Sequence, residues 1–263
     1  MAGVSTVIEH LDYALLLFLR VSGILIGSPV FGRNNVPNMA KIGFCGVLSL
    51  IFILCMPAPQ EYPIYGTLLE YFLICLKELL FGAAMGFVLT TMFNLTMTAG
   101  SIIDYQTGFS MASIYDFQNN TQSPLSGNLL NIMMLVTFFL MNGHLKLIEI
   151  VFRTFEAVPV GTATAAPEIV WVAAEVMSRA FILSVMVSMP VMAAGIMMEV
   201  ALGAMIRTVP QMNMFVVGIP LKIIVGLITM FLTLKVFSDC LNGIFTQSFD
   251  YVGIMFQYLS GSA

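Results

Sequence analysis

Twenty-five consecutive residues, Leu79 to Ile103, contain no charged side chain. A run of that length spans about 37 Å as a helix, more than the ~30 Å hydrocarbon core of a bilayer. Ala180 to Met198 is a second such run, and Ile42 to Met56 is a shorter one that needs its flanks to cross. A chain with these runs is not able to bury them all in one soluble core, because 59% of its 263 residues are apolar and only 9% are charged. Soluble domains carry roughly 25% charged residues. The expected class is therefore all-α and polytopic, a membrane-type protein.

The charge pattern excludes other classes. The formal net charge is -4 and there is no basic run, so no nucleic-acid partner is expected. The first twelve residues carry Glu9 and Asp12 and no Lys or Arg, so no cleaved secretory signal is expected. Cys45, Cys55, Cys75 and Cys240 form no CxxC pair and read as small buried hydrophobes. His10 and His144 are too few and too separated for a histidine metal cage, and no cofactor or metal is expected.

Seven helical stretches are expected, at about 12–30, 39–56, 65–101, 128–155, 168–207, 213–237 and 241–259. Pro57, Pro59 and Pro63 separate the second from the third, and Pro159, Gly161 and Pro167 the fourth from the fifth. The fifth would be about 60 Å long if straight. Such helices must kink, fold into hairpins or stand partly outside lipid, and Pro190 is the expected kink site.

Two stripes recur every four residues: Gly82, Gly86, Thr90, Asn94, Thr98, and Gly195, Glu199, Gly203, Arg207. Each lies on one helix face. The plain reading is close helix packing, and the functional one is a lumen or a face for a partner subunit. Gly23 and Gly27 make a further small pair. Arg20, Lys77, Glu78, Glu199, Arg207 and Lys222 are costly in lipid, so each should face protein or water. Glu199 and Arg207 stand too far apart to pair, which puts their expected partners on other chains. In 144–158, Leu145, Ile148, Phe152 and Phe155 form an apolar face, opposite Lys146, Glu149, Arg153 and Glu156. Arg33, Lys41 and Arg207 favour a cytoplasmic side for their loops, with Lys146 and Arg153 competing.

One segment breaks the apolar pattern without becoming basic. In GFSMASIYDFQNNTQSPLSG, residues 108–127, the apolar Phe109, Met111, Ile114, Tyr115 and Phe117 precede the uncharged polar stretch 118–123. No Walker loop, HExxH or GxSxG occurs, and Tyr115-Asp116 lacks the second carboxylate motif of an intramembrane aspartyl protease. No enzyme activity is expected.

Leu140-Met141-Asn142-Gly143-His144-Leu145-Lys146-Leu147-Ile148 resembles the NGH-L-x-LI signature of the FliR family, whose injectisome branch is SctT. Arg207-Thr208-Val209-Pro210-Gln211-Met212-Asn213-Met214-Phe215-Val216-Val217-Gly218-Ile219-Pro220-Leu221-Lys222 is similar to its second signature, R-x-x-PQMN-x-F-x-x-G-x-P-x-K. Arg20-Val21-Ser22-Gly23, Ser28-Pro29-Val30-Phe31-Gly32 and Val36-Pro37 fit as well, so the likeness runs from the first helix to the last. The 140–148 segment looks more flagellar than injectisome-like.

The resemblance implies a subunit of the flagellar type III export gate, joined to FliP-like and FliQ-like subunits in a helical complex of stacked hairpins. FlhB-like and FlhA-like components, unfolded protein substrates and lipid would be further partners. The place would be the bacterial cytoplasmic membrane, in the flagellar basal body. Residues 1–200 would be a FliP-like part and 201–263 a FliQ-like part. By matched position, 106–122 would be a plug in the channel. Phe109, Met111, Ile114, Tyr115 and Phe117 would seal it by apolar contact and dewetting, with Gly108 giving mobility. Pro210, Gln211, Asn213, Gly218 and Pro220 would shape the sixth helix against a neighbour, and Gly82, Gly86, Asn94, Glu199, Gly203, Arg207 and Lys222 would serve helix or subunit packing. A small secondary transporter using Glu199, Arg207 and helices broken at Pro190 and Pro220 is the competing reading.

Overall fold

A computed structural model describes residues 11–33, 36–55, 65–110, 124–162, 167–209 and 213–260. Among them the regular structure is all helical: α1 (Leu11–Ile26), α2 (Asn38–Cys55), α3 (Leu68–Thr107), α4 (Leu125–Leu140), α5 (Gly143–Ala157), α6 (Ile169–Thr208) and α7 (Met214–Ser260). Of the described helices, α2, α3, α6 and α7 are long and apolar enough to cross a membrane, and α4 with α5 passes the same test as a pair.

Four boundaries differ from those expected. The first helix ends at Ile26, not near 30, where Ser28 N–H bonds to Leu25 O and Gly32 N–H to Ser28 O. The third continues past 101 to Thr107 and stops where Gly108 takes φ +85°, a conformation open to glycine at little cost. The expected helix 128–155 is two helices. Asn142 sits at φ 55°, a left-handed conformation that asparagine tolerates, and its carbonyl accepts from Leu145 and Lys146 N–H to start α5. The expected sixth and seventh helices are one, because Ser238-Asp239-Cys240 contains neither Gly nor Pro. Helix α6 runs unbroken through Pro190.

The described residues group into two compact units. The first takes the described residues within 1–92, 141–176 and 247–263. In it α1 crosses α3 at glycines. A Cβ on Gly86 would lie 2.7 Å from Gly27 Cα, and one on Gly23 would lie 2.9 Å from Ala83 N. Only hydrogen fits there, so the backbones touch. The Thr90 hydroxyl donates to Gly27 O at the same crossing. The upper half of the 82–98 stripe is thus helix packing, while Asn94 and Thr98 are exposed. Phe52 of α2 rests against Phe155 of α5, centroids 5.6 Å apart. Near the start of α1, Asp12 accepts a hydrogen bond from Tyr65, which pushes the Tyr65 phenol above its ordinary range.

The buried face of α5 is Leu147, Val151, Thr154 and Phe155. Leu145 is exposed, so the apolar stripe is rotated from the one expected, and only Phe155 belongs to both. The expected ion pairing on the opposite face is present between Arg153 and Glu149, 2.7 Å apart and solvated. Cys45 is buried, but Cys55 and Cys240 are exposed, unlike the buried role expected for all four.

The second unit takes the described residues within 93–140 and 177–246. Its core includes an aromatic cluster in which Phe93 meets Phe138 at 5.4 Å and Phe245 at 5.7 Å. Such ring pairs add about 0.5–1.5 kcal/mol each beyond area burial. Much of the remaining apolar surface is not covered: Met197, Phe231 and Leu232 are each at least 67% exposed. Side chains of that kind need lipid or protein around them.

Candidate functional site

The described start of the 106–122 segment is held from three sides. Asp104, in the last turn of α3, is buried and accepts from Ser126 N–H with Oδ1 at 3.2 Å and Oδ2 at 3.3 Å. Ser126 lies in the first turn of α4, whose N–H groups have no helical partner, and the positive end of that helix favours a carboxylate. One side chain therefore ties the residues entering the segment to those leaving it.

Glycines provide the other contacts. A Cβ on Gly100 would run into the Cα of Gly127, one on Gly195 into the side chain of Gln106, and one on Gly226 into Thr107 Cγ2. So α4, α6 and α7 each present a glycine to the last two turns of α3. Asn131 Nδ2 adds a bond to Thr96 Oγ1 at 3.3 Å. Close packing of this kind fixes where α3 ends. Past it Gly108 has open space around its Cα, and Phe109 is half-buried. Met111, Ile114, Tyr115 and Phe117 lie outside the described residues, as do Pro210 and Gln211.

Asn213 opens α7: its carbonyl accepts from Val216 and Val217 N–H at 3.1 and 3.2 Å. Gly218 is buried and Pro220 exposed within α7. Glu199 does not await another chain, since Lys222 Nζ stands 2.6 Å from its Oε1. Arg207 and Lys77 are exposed, as is Gly203, which has open space at its Cα. The Glu199 side chain is 51% exposed, so the pair is expected to contribute less than about 1 kcal/mol. Lys222→Ala should shift the melting temperature of the purified chain by under about 3 °C. A larger loss would mean the pair is desolvated.

The charges that matter most in the first unit are Arg20 and Glu78, both fully buried. Arg20 Nε lies 2.5 Å from Glu78 Oε2, and Nη2 lies 2.9 Å from Oε1. Arg20 Nη1 donates to Thr154 O at 3.1 Å and to Val158 O at 2.8 Å. Gly161 N–H donates to Glu78 Oε1 at 2.8 Å. The guanidinium also sits over the rings of Phe81 and Phe155, 4.5 and 4.9 Å from their centroids. Sequence reasoning flagged both charges but missed their pairing across 58 positions. It also missed Asp104 and Gly127. A lone carboxylate beside a loop, with Ser-Gly at the far side, was the available signal.

These features define an all-helical, polytopic membrane protein. The chain belongs to the bacterial export proteins, family 1, whose model matches residues 11–248. It is 32% identical over 249 residues to the flagellar biosynthetic protein FliR of Bacillus subtilis, covering 94% of this chain and 95% of that one. It is 26% identical to the protein of the same name from Escherichia coli, with 88% of each covered. For the one from Aquifex aeolicus the identity is 27%, with 92% of each covered.

Proposed function

We propose that this chain is a non-enzymatic core subunit of the flagellar type III export gate, in the bacterial cytoplasmic membrane at the basal body. With FliP-like and FliQ-like subunits it would form the channel for unfolded flagellar substrates, and with FlhB-like and FlhA-like components the wider export apparatus. Residues 1–200 would play the FliP-like part and 201–263 the FliQ-like part. The family membership supports the export role, and the flagellar names of the relatives favour the flagellum over the injectisome.

One observation carries the plug reading of 106–122. The segment leaves from a root clamped by Asp104 and three glycine contacts, in a chain that is otherwise apolar. A seal must be held at its base and yield at its tip. Phe109, Met111, Ile114, Tyr115 and Phe117 supply apolar closure, and Gln118 to Gln122 carry no charge to trap a passing chain. The secondary-transporter reading asked for helices broken at Pro190 and Pro220, and α6 and α7 run on through those prolines, which supports the gate reading over it.

Deletion of 109–117 tests this in membranes holding the chain co-expressed with its FliP-like and FliQ-like partners. The expected result is retained co-purification with a raised small-ion leak. Retained assembly with unchanged leak would remove the sealing role.

A further inference from the structure

A cavity of about 310 Å³ lies in the first unit between the end of α1, the turn that follows it and the first half of α2. Leu25, Ile26, Phe31, Val36, Phe44 and Cys45 line it, and Lys41 is the one charged side chain among its described lining residues. Phe31 stacks on Phe44 with centroids 5.0 Å apart and so stiffens one wall. The volume is about ten times one water's share of the liquid. The pocket is open at its mouth and its walls are almost wholly apolar, so water in it finds few partners and an apolar group is the better occupant.

Lys41 sets what that ligand must carry. Its ammonium donates to Gly32 O at 3.0 Å, which uses one of three donors. Among the described residues no carboxylate stands within ion-pair distance of it. It is half-buried in the first turn of α2, where the helix dipole also favours an anion. Helix α2 is long and apolar enough to cross a membrane; in that placement Lys41 would stand at one end of the crossing, with Cys45 one turn further in. A cation at the headgroup level with an apolar slot directly inward of it fits one kind of molecule: an amphiphile whose anionic group adjoins its hydrocarbon.

We propose that this cavity binds one acyl chain of an anionic phospholipid, with the lipid phosphate on Lys41. A protein segment would need an acidic residue beside a bare apolar stretch to satisfy the same two features.

The test uses the full chain, delipidated in detergent, with palmitoyl-oleoyl phosphatidylglycerol and phosphatidylcholine as probes and bound lipid counted by native mass spectrometry. Phosphatidylglycerol should be retained about fivefold over phosphatidylcholine, the factor one lysine supplies at a membrane surface. Lys41→Gln should bring the two lipids level. Ala40 also lines the cavity and is otherwise exposed, so Ala40→Phe should lower both lipids alike without changing the melting temperature in lipid-free detergent. Equal retention of both lipids by the unaltered chain, undiminished by Ala40→Phe, would overturn the proposal. So would a photo-reactive group at position 40 that cross-links to a neighbouring subunit in cell membranes rather than to lipid.

Discussion

Arg20→Ala is expected to lower the melting temperature of the purified chain by about 6–12 °C, from a loss of about 3–5 kcal/mol. Removing the guanidinium leaves the Glu78 carboxylate buried, with the bond from Gly161 N–H still in place. It also strips Val158 O of its donor and opens a void between Phe81 and Phe155. Four of the five guanidinium hydrogens are engaged, a fork that an ammonium is not able to match. Arg20→Lys should therefore recover only part of the loss.

The double change Arg20→Met with Glu78→Leu should recover more than half, because no unpaired charge then remains in the core. Recovery should stop short, since Val158 O would still lack a donor at a cost of about 1–3 kcal/mol, and the half-buried Gly161 N–H would lose its acceptor. Thr154 O keeps a bond from Val158 N–H and adds little to that residue of cost. Thermal unfolding at one scan rate checks the series. A melting temperature for Arg20→Ala within about 1 °C of the parent would mean that solvent or lipid replaces the lost donors.

How much of this was legible beforehand depends on range. Helix identity came from local apolar runs, and the long spans are where those runs lie. Local turn chemistry was read less well. Asn142-Gly143 is a strong break signal inside an apolar run, yet the run outweighed it, and Ser238-Asp239-Cys240 looked like a break although each of those residues fits a helix turn. The α5 face was misjudged because a partner helix, not periodicity alone, decides which side is covered. The four-residue glycine stripe was legible as a face, but not the residues opposing it. Arg20 with Glu78, and Asp104 with Ser126, were beyond reach for the same reason: each pair is made by helices that meet only after folding.

The second large effect is expected at the root of the 106–122 segment, and it separates two glycines that look alike in sequence. A methyl group on Gly100 meets the Gly127 Cα and N and the Ser126 carbonyl carbon, all backbone. On Gly127 it meets first the Pro124 ring carbon Cγ at 2.7 Å, and Met97 backbone only at 3.3 Å. A ring can shift, whereas two helices must move apart as bodies. Alanine improves helix propensity by up to about 1 kcal/mol at either site. Overpacking costs about 1–3 kcal/mol and more where backbone must separate. Gly100→Ala should then be destabilising by at least about 2 kcal/mol, while Gly127→Ala falls within about 1 kcal/mol of the parent. Separation of α3 from α4 would also loosen the hold of Asp104 on Ser126 N–H, so in the co-expressed complex Gly100→Ala should raise ion leak and Gly127→Ala should not. Equal melting temperatures for the two variants would show that the helices yield at this crossing. Unequal stability with equal leak would leave the root a packing feature only and cut it from the sealing role of the segment it carries.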